Sequence, residues 1–351
     1  MYIQNETIEG MKDMNRNIRE IFRRFAKNEC ENSSELYETL SYEISEDSDL
    51  LELACFIPEG QPIPNLFFAA VQYLLMDTQD DLKRYYVSFT ESPLPVQDAF
   101  PYLKKYVLSN EEALKQLFRS KLVQTNEVRR CAYLYPMFAD IYEKHRMPLA
   151  LIEIGASASL QLGIEQYRYI YNDKLVVGNL NSSLTIHAQN RGKELPRSIK
   201  EIPVVETRIG VDLNPIDLQN KEELKWLQAL IWPEHQERKN LLNQSASIIK
   251  NLDIQLFRGD AIEQIEEICD QIPLNQLIVI FHTHVANQIP MHLKDELIEN
   301  LKRISAKRSI YHCYNNMYDT LLHQDYMADK IVHSKRVLGE TDGHARWFTW
   351  Q

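Results

Sequence analysis

Residues 151–169 read LIEIGASASLQLGIEQYRY, an apolar run that passes at once into a turn of small side chains. The run has no polar alternation, so it reads as a strand buried on both faces of a sheet, the habit of parallel strands. In an open parallel sheet the ligand crevice lies beyond the carboxyl ends of the strands, and the first strand-to-helix turn carries a glycine fingerprint. Here EIGASAS aligns with E-x-G-x-G-x-G. It keeps Glu153 and Gly155 but sets Ser157 and Ser159 at the other two glycine positions. A pyrophosphate must come close to bare backbone at the second glycine, and a serine obstructs it, which counts against dinucleotides. Gly155, Ala156 and Ser157 also suit plain strand-helix packing with no ligand. Glu153 weighs against that reading, because an acid ending an apolar strand is costly to bury without a partner.

Outward from this strand, the C-terminal part of the chain alternates apolar runs with amphipathic helical patterns. The runs are LALIEI, IPVVETRIGVDL, IQLFRG, LIVIFH, SIYHCY, KIVHSKRVL and RWFTW, with helices expected at 222–231, 235–250, 261–268 and 294–305. Such alternation predicts an α/β fold with a doubly wound, mostly parallel sheet. The last two runs are joined by GETDGHA with no helix between them, which predicts an antiparallel hairpin at the C-terminal edge. A parallel sheet ending this way is similar to the Rossmann-like sheet of class I S-adenosylmethionine-dependent methyltransferases. Before it, 36–53, 66–76 and the stretch LKKYVLSNEEALKQLF read as helices separated by proline-punctuated loops, with no strand candidate. The expected organisation is therefore an all-helical region at 1–120 and a sheet domain at 121–351 with a strand-rich insertion around 170–200.

Bulk composition narrows the function classes. The 351 residues carry a net charge of -11, which argues against a general phosphate-backbone binder, so no nucleic-acid partner is expected. Arg16, Arg19, Arg23, Arg24 and Lys27 form a basic helix surface that is more simply a solvated face than a docking site. Five scattered cysteines without C-x-x-C spacing indicate neither a disulfide framework nor a zinc knuckle. With no apolar leader and no long apolar run, neither secretion nor membrane contact is expected, and the reading is a cytoplasmic protein acting on a small molecule. Oligomeric state is not readable.

S-adenosylmethionine has no phosphate, so the serine-bearing turn tolerates it. Its ammonium and carboxylate would meet an acidic side chain, a hydroxyl and backbone amides at a helix start, which makes Glu153, Gly155, Ala156 and Ser157 cofactor candidates. The next strand should end in an acid for the ribose hydroxyls. Asp212, ending ETRIGVDL, is preferred over Asp173, which sits at the fingerprint distance but leaves little room for both a helix and a strand. Asp260 in FRGDA suits the adenine amine or, equally, a helix N-cap. His282 and His284 occupy alternate positions at the end of LIVIFHTH; a continuing strand would place both on one face, as general base or metal ligands, or as capping and packed residues. Asn126 and Arg130, spaced i, i+4 with Glu127 between, would reach over the crevice to position substrate. Trp226 and Trp232 stand at helical spacing and read as core more readily than as a substrate platform.

Taken together, QTNEVRR, LIEIGASASLQL, YRYIY, GVDLNPIDL, WLQALIWPE with Arg238, and FRGDA resemble a bacterial family catalogued as a domain of unknown function. The resemblance covers nearly the whole chain and implies a methyltransferase-like fold in its C-terminal two-thirds, with no established activity. The family's turn commonly reads G-A-S-A-G, where this chain has Ser159. Three functions are expected to compete. The first is an S-adenosylmethionine-dependent methyltransferase that needs no metal, with His282 as base. The others are a metal-dependent hydrolase using His282 and His284, and a binding module that keeps the fold without chemistry.

Overall fold

In the computed structural model, which describes residues 17–124 and 126–351, the first unit is all helical and draws on two stretches of chain, 17–124 and Lys221–Lys239. Helices occupy 17–25, Glu35–Glu46, Ser48–Ala54, Ile63–Met76, Phe100–Ser109 and Glu111–Ser120. The single helix expected over 36–53 is broken at Asp47. Its backbone is extended and its carboxylate accepts from the Asp49 and Leu50 amides, so it caps a new helix. Phe22, Phe67, Phe68 and Tyr37 make the aromatic core, with the Tyr37 and Phe68 rings stacked 4.1 Å apart. Trp226 and Ala229, from the helix Lys221–Ala229, belong to the same core, and Trp226 Nε1 donates to Leu122 O at 2.8 Å. Gln72 Nε2 donates to Ala229 O and Ile231 O, both at 2.8 Å. This segment therefore packs as helical-unit core, although the strand-helix alternation had set it in the sheet domain. The basic surface is answered locally: Arg19 and Arg23 pair with Glu46, and Arg23 also with Glu20. Arg16 and Thr125 lie outside the described residues.

The second unit holds eleven strands: β1 (Leu149–Ile154), β2 (Arg168–Tyr171), β3 (Leu175–Gly178), β4 (Thr185–Asn190), β5 (Val205–Asp212), β6 (Gln255–Arg258), β7 (Leu277–His282), β8 (Ile310–Tyr314), β9 (Leu322–Ala328), β10 (Ile331–Gly339) and β11 (Trp347–Phe348). Seven form one sheet in the order β10-β9-β8-β7-β1-β5-β6, parallel from β6 through β8. This mostly parallel order is Rossmann-like. Ala150, Ile152 and Ile154 of β1 face a core made with the helices Ala261–Asp270 and Met291–Ser305. Leu149, Leu151 and Glu153 alternate to the other face. There the helix Cys131–His145 sends Phe138 edge-on to Phe281 of β7, with ring centroids 5.3 Å apart.

The edge hairpin exists, but its strands differ from those expected. β9 and β10 pair antiparallel across Asp329 and Lys330, whose φ angles of 51° and 65° give the left-handed two-residue turn that matches strand twist. Trp347–Phe348 instead joins a four-stranded sheet, order β11-β4-β2-β3, and pairs parallel to β4. The other three strands of that smaller sheet, β2 to β4, are the insertion between β1 and β5. This insertion replaces the usual crossover helix, so the turn after β1 opens only a short 3-10 segment, Leu160–Gln166, and no α-helix. Among the described residues, no helix is long and apolar enough to cross a membrane.

Candidate functional site

From β1 the chain builds the sheet outward through β5 and β6, and then from β7 through β8 on the opposite side, so the strand order reverses between β1 and β7. The crevice of such a sheet opens beyond the carboxyl ends at this reversal. Ser157, Ser159, His284, Asn316 and Ala345, all in the left-handed region with φ between 46° and 59°, lie beyond the ends of β1, β7, β8 and β10. For a residue with a Cβ this costs about 1–2 kcal/mol each.

The turn itself is internally satisfied. Gly155 N and Ala156 N donate to Val211 O, Ser157 N to Asp212 Oδ2 at 2.8 Å, Ala158 N to Asn126 Oδ1 at 3.0 Å and Ser159 N to Ala156 O. No amide from 155 to 159 is left for an anion, and with no helix start here the expected carboxylate contact at the turn is lost. Gly155 has φ 72°, and a Cβ there would lie 2.4 Å from Val285 Cγ2; the valine fills the space above the glycine. Ala156 packs against Gly210 of β5. Gly155 and Ala156 thus shape the turn, Ala156 buried and Gly155 half-buried, with both amides already bonded. The Ser157 hydroxyl accepts from Asn126 Nδ2 at 2.9 Å, so Asn126 clamps the turn from both ends of its amide. Asn126 is not on a helix with Arg130; Glu127 caps a 3-10 turn, Val128–Arg130, between them.

Of the acids, Asp212 ends β5 beside β1, whereas Asp173 sits in the β2–β3 hairpin turn, exposed. Asp212 accepts from Ser157 N through Oδ2 and from Asn214 N through Oδ1 at 2.7 Å. One lone pair on each oxygen remains. Asp260 Oδ1 accepts from Ile262 N at 2.8 Å, the helix-cap role.

The buried polar centre lies around Arg130. The residue is 6% exposed, and its guanidinium donates to Gly343 O at 3.3 and 3.2 Å and to Thr283 O at 3.3 Å, all uncharged oxygens. Thr283 Oγ1 in turn accepts from Gln161 Nε2 at 2.9 Å. Glu153, 3% exposed, has Oε2 buried with no hydrogen-bond partner. Burial raises its carboxyl well above the usual range, Asp212 adds to the rise, and Arg130 opposes it. Among the described residues neither Arg130 nor Glu153 forms an ion pair.

The two histidines part company. β7 ends at His282, and His284 lies beyond it with φ 57°, so the alternation that would set them on one face has stopped. His282 is fully buried, its Nε2 3.1 Å from His312 Nε2, and burial lowers it to about 3. It is packed sheet interior, where it reaches no substrate as a base, and the two imidazoles do not converge on a metal. Among the described residues no group of three or more His, Cys, Asp or Glu side chains is arranged to hold one. His284 belongs to the polar centre instead. Its Nδ1 accepts from Asn316 Nδ2 at 3.0 Å, leaving Nε2 buried and unpartnered. Burial lowers it to about 4, helped by Arg130 and His344 and opposed by Asp342.

His344 went unnoticed in the sequence. Its Nδ1 lies 3.2 Å from Glu127 Oε2; the glutamate side chain is 2% exposed and the imidazole 40%. Its loop is braced by Asp342, whose Oδ1 accepts from Arg346 N at 2.6 Å, and by Thr349, whose Oγ1 accepts from Glu340 N at 2.7 Å. The one available signal was the polar connector GETDGHA, a histidine in a turn-forming run.

The protein is thus a Rossmann-like α/β protein with a buried polar cluster at the strand-order reversal. Residues 19–350 match the model of a family described as an uncharacterized protein conserved in bacteria (DUF2332), and the chain belongs to that family. No curated protein and no solved structure matches it.

Proposed function

We propose that this protein is an S-adenosylmethionine-dependent methyltransferase acting on a small-molecule acceptor in the cytoplasm. One observation carries the reading: the Arg130 guanidinium and the Glu153 carboxyl, on residues each more than nine-tenths buried, lie near one another at the reversal point, Arg130 bonded only to uncharged oxygens and Glu153 Oε2 with no hydrogen-bond partner. Burying an unanswered guanidinium and an unpartnered carboxyl is costly, and a ligand with an ammonium and a carboxylate on one carbon offers a partner to each. Glu153 would take the ammonium, Arg130 with His284 Nε2 the carboxylate, and Asp212 the ribose hydroxyls through its remaining lone pairs. Val285 over Gly155 confines this fit to side chains; the turn backbone takes no part. When bound, the group supplies a methyl carbon activated by positive sulfur. What the chain supplies is orientation and exclusion of water, the main needs of an in-line transfer.

Calorimetry with S-adenosylmethionine and S-adenosylhomocysteine tests it. Both should bind, and Arg130→Gln and Glu153→Gln should each weaken binding by roughly 10- to 100-fold, the worth of a charge-assisted hydrogen bond. Absence of heat with either ligand sinks the proposal. The fully spent turn amides favour one second reading, a ligand-binding module without turnover, which binding with no methyl transfer to any acceptor would establish.

A further inference from the structure

We infer that Glu127 and His344 form the catalytic base pair of this site, and that the acceptor is a small molecule whose nucleophile, a hydroxyl or an amine, must shed a proton during transfer. The inference rests on the methyltransferase reading for its reaction. Its geometry stands apart from that reading. A carboxyl oxygen accepts, so the 3.2 Å contact places the proton of neutral His344 on Nδ1 and leaves the Nε2 lone pair free. The glutamate is buried and the imidazole 40% exposed, so the fixed partner is inside and the reactive nitrogen is reachable. A buried acid holding the tautomer of an accessible imidazole is the arrangement that general bases use.

The surroundings bring this base to the same cluster. Arg130, three residues after Glu127, grips Gly343 O, the residue before His344, through both Nε and Nη2. His344 also acts electrostatically on His284. The Asp342 bonds to Arg346 hold the loop that presents the imidazole, against the strain of Ala345 at φ 54°. The C-terminal end is held in turn by Gln189 N donating to Arg346 O and Arg191 N to Phe348 O. Two distant pieces of chain are thus locked together around one histidine, at the expense of a left-handed alanine.

In the step, His344 Nε2 takes the proton of the acceptor O–H or N–H. The oxygen or nitrogen forms its bond to the methyl carbon while the carbon–sulfur bond of the sulfonium donor breaks and its electron pair returns to sulfur. The products are the methylated acceptor, a neutral thioether and an imidazolium. A thiolate acceptor would need no such base.

The test uses the full chain with S-adenosylmethionine and a panel of hydroxylated acids, phenols, amines and thiols, comparing wild type with His344→Gln and Glu127→Gln. Donor binding by calorimetry and acceptor KM should stay within about threefold in both variants. The kcat of His344→Gln should fall by about 10²- to 10⁴-fold, with the acid limb of the pH–rate profile abolished. Glu127→Gln should fall less, and nitrogen-15 NMR should show its His344 proton moved from Nδ1 toward Nε2. Transfer to a hydroxyl or amine with unchanged kcat in His344→Gln overturns the base pair and leaves the methyltransferase reading standing. A wild-type preference for thiols overturns the acceptor class. If wild type fails to bind the donor, the underlying reading falls and takes this step with it; an Nε2–H tautomer in wild type overturns the pair on its own.

Discussion

Acidification should unfold this protein through two imidazoles that have nothing to do with its site. His282 and His312 meet Nε2 to Nε2 at 3.1 Å on neighbouring strands, both fully buried, so one donates, one accepts and both are neutral. Burial lowers His282 from 6.5 to about 3, and burial together with His282 lowers His312 well below its usual value. A folded pKa below the unfolded one means that the unfolded chain takes up protons first. The stabilisation is therefore complete above about pH 6.5 and is lost as pH falls from there toward 3. At about 1.4 kcal/mol per tenfold difference in proton affinity, His282 alone accounts for about 2 kcal/mol at pH 5 and approaches about 5 kcal/mol below pH 3. Urea unfolding at pH 7.5 and pH 5.0 measures it, with His282→Leu/His312→Leu as the reference in which all other groups titrate alike. The wild type should lose at least about 2 kcal/mol more than the double variant over that interval. Equal losses in the two proteins would refute the reasoning.

The charged centre should respond with the opposite sign. Glu153 has a raised carboxyl, so its contribution to stability is full below its unfolded value and is lost as pH rises through the folded one; Glu153→Gln should therefore gain on the wild type from pH 5 to pH 8 in thermal melts, while weakening S-adenosylmethionine binding. Gly155→Ala should cost about 2 kcal/mol or more from the positive φ and the Val285 clash together, and adding Val285→Ala should recover only the clash portion, read as urea midpoints. Ser159 pairs a left-handed backbone with a buried hydroxyl that has no partner, so Ser159→Gly should stabilise by about 1 kcal/mol in the same assay. Asp212→Ala strips the acceptor from two amides and should destabilise by about 2 kcal/mol, whereas a loss below about 0.5 kcal/mol would mean that those bonds are not made.

β1 and β7 were legible because strands buried along their whole length on both faces leave nearly unbroken apolar runs, and β5 and β8 because turn and helix signals bound them on either side. Asp212 could be told from Asp173 because an eight-residue strand of the large sheet precedes it, whereas the strand before Asp173 has four residues and belongs to the smaller sheet. β9 escaped notice. LHQDYMA buries Gln324 and Asp325, whose polarity is answered by Met137 O and the Tyr314 hydroxyl, partners that only the folded chain brings near. Lys330 hid the hairpin turn because glycine or asparagine is the usual signal for φ above zero. Of the residues that the fold gathers around the turn, Arg130, Glu127 and Glu153 stand out in the sequence by residue type. His344 does not, since it meets Glu127 from 217 positions away and its loop has no periodicity to mark it. The pairing of His282 with His284 failed at a single backbone angle, which no pattern of side chains records.

The helical unit's dependence on Lys221–Lys239 has a consequence for synthesis. On a ribosome making about 5–20 residues per second, the first 124 residues emerge about 5–20 s before Trp226 can reach them. During that wait the Gln72 amide lacks the Ala229 and Ile231 carbonyls, and the Ser34 hydroxyl and Leu36 amide lack the Glu234 carboxylate. An apolar seam stands open in the nascent chain until nearly a hundred residues of the sheet unit have been translated, so the part made first is finished late.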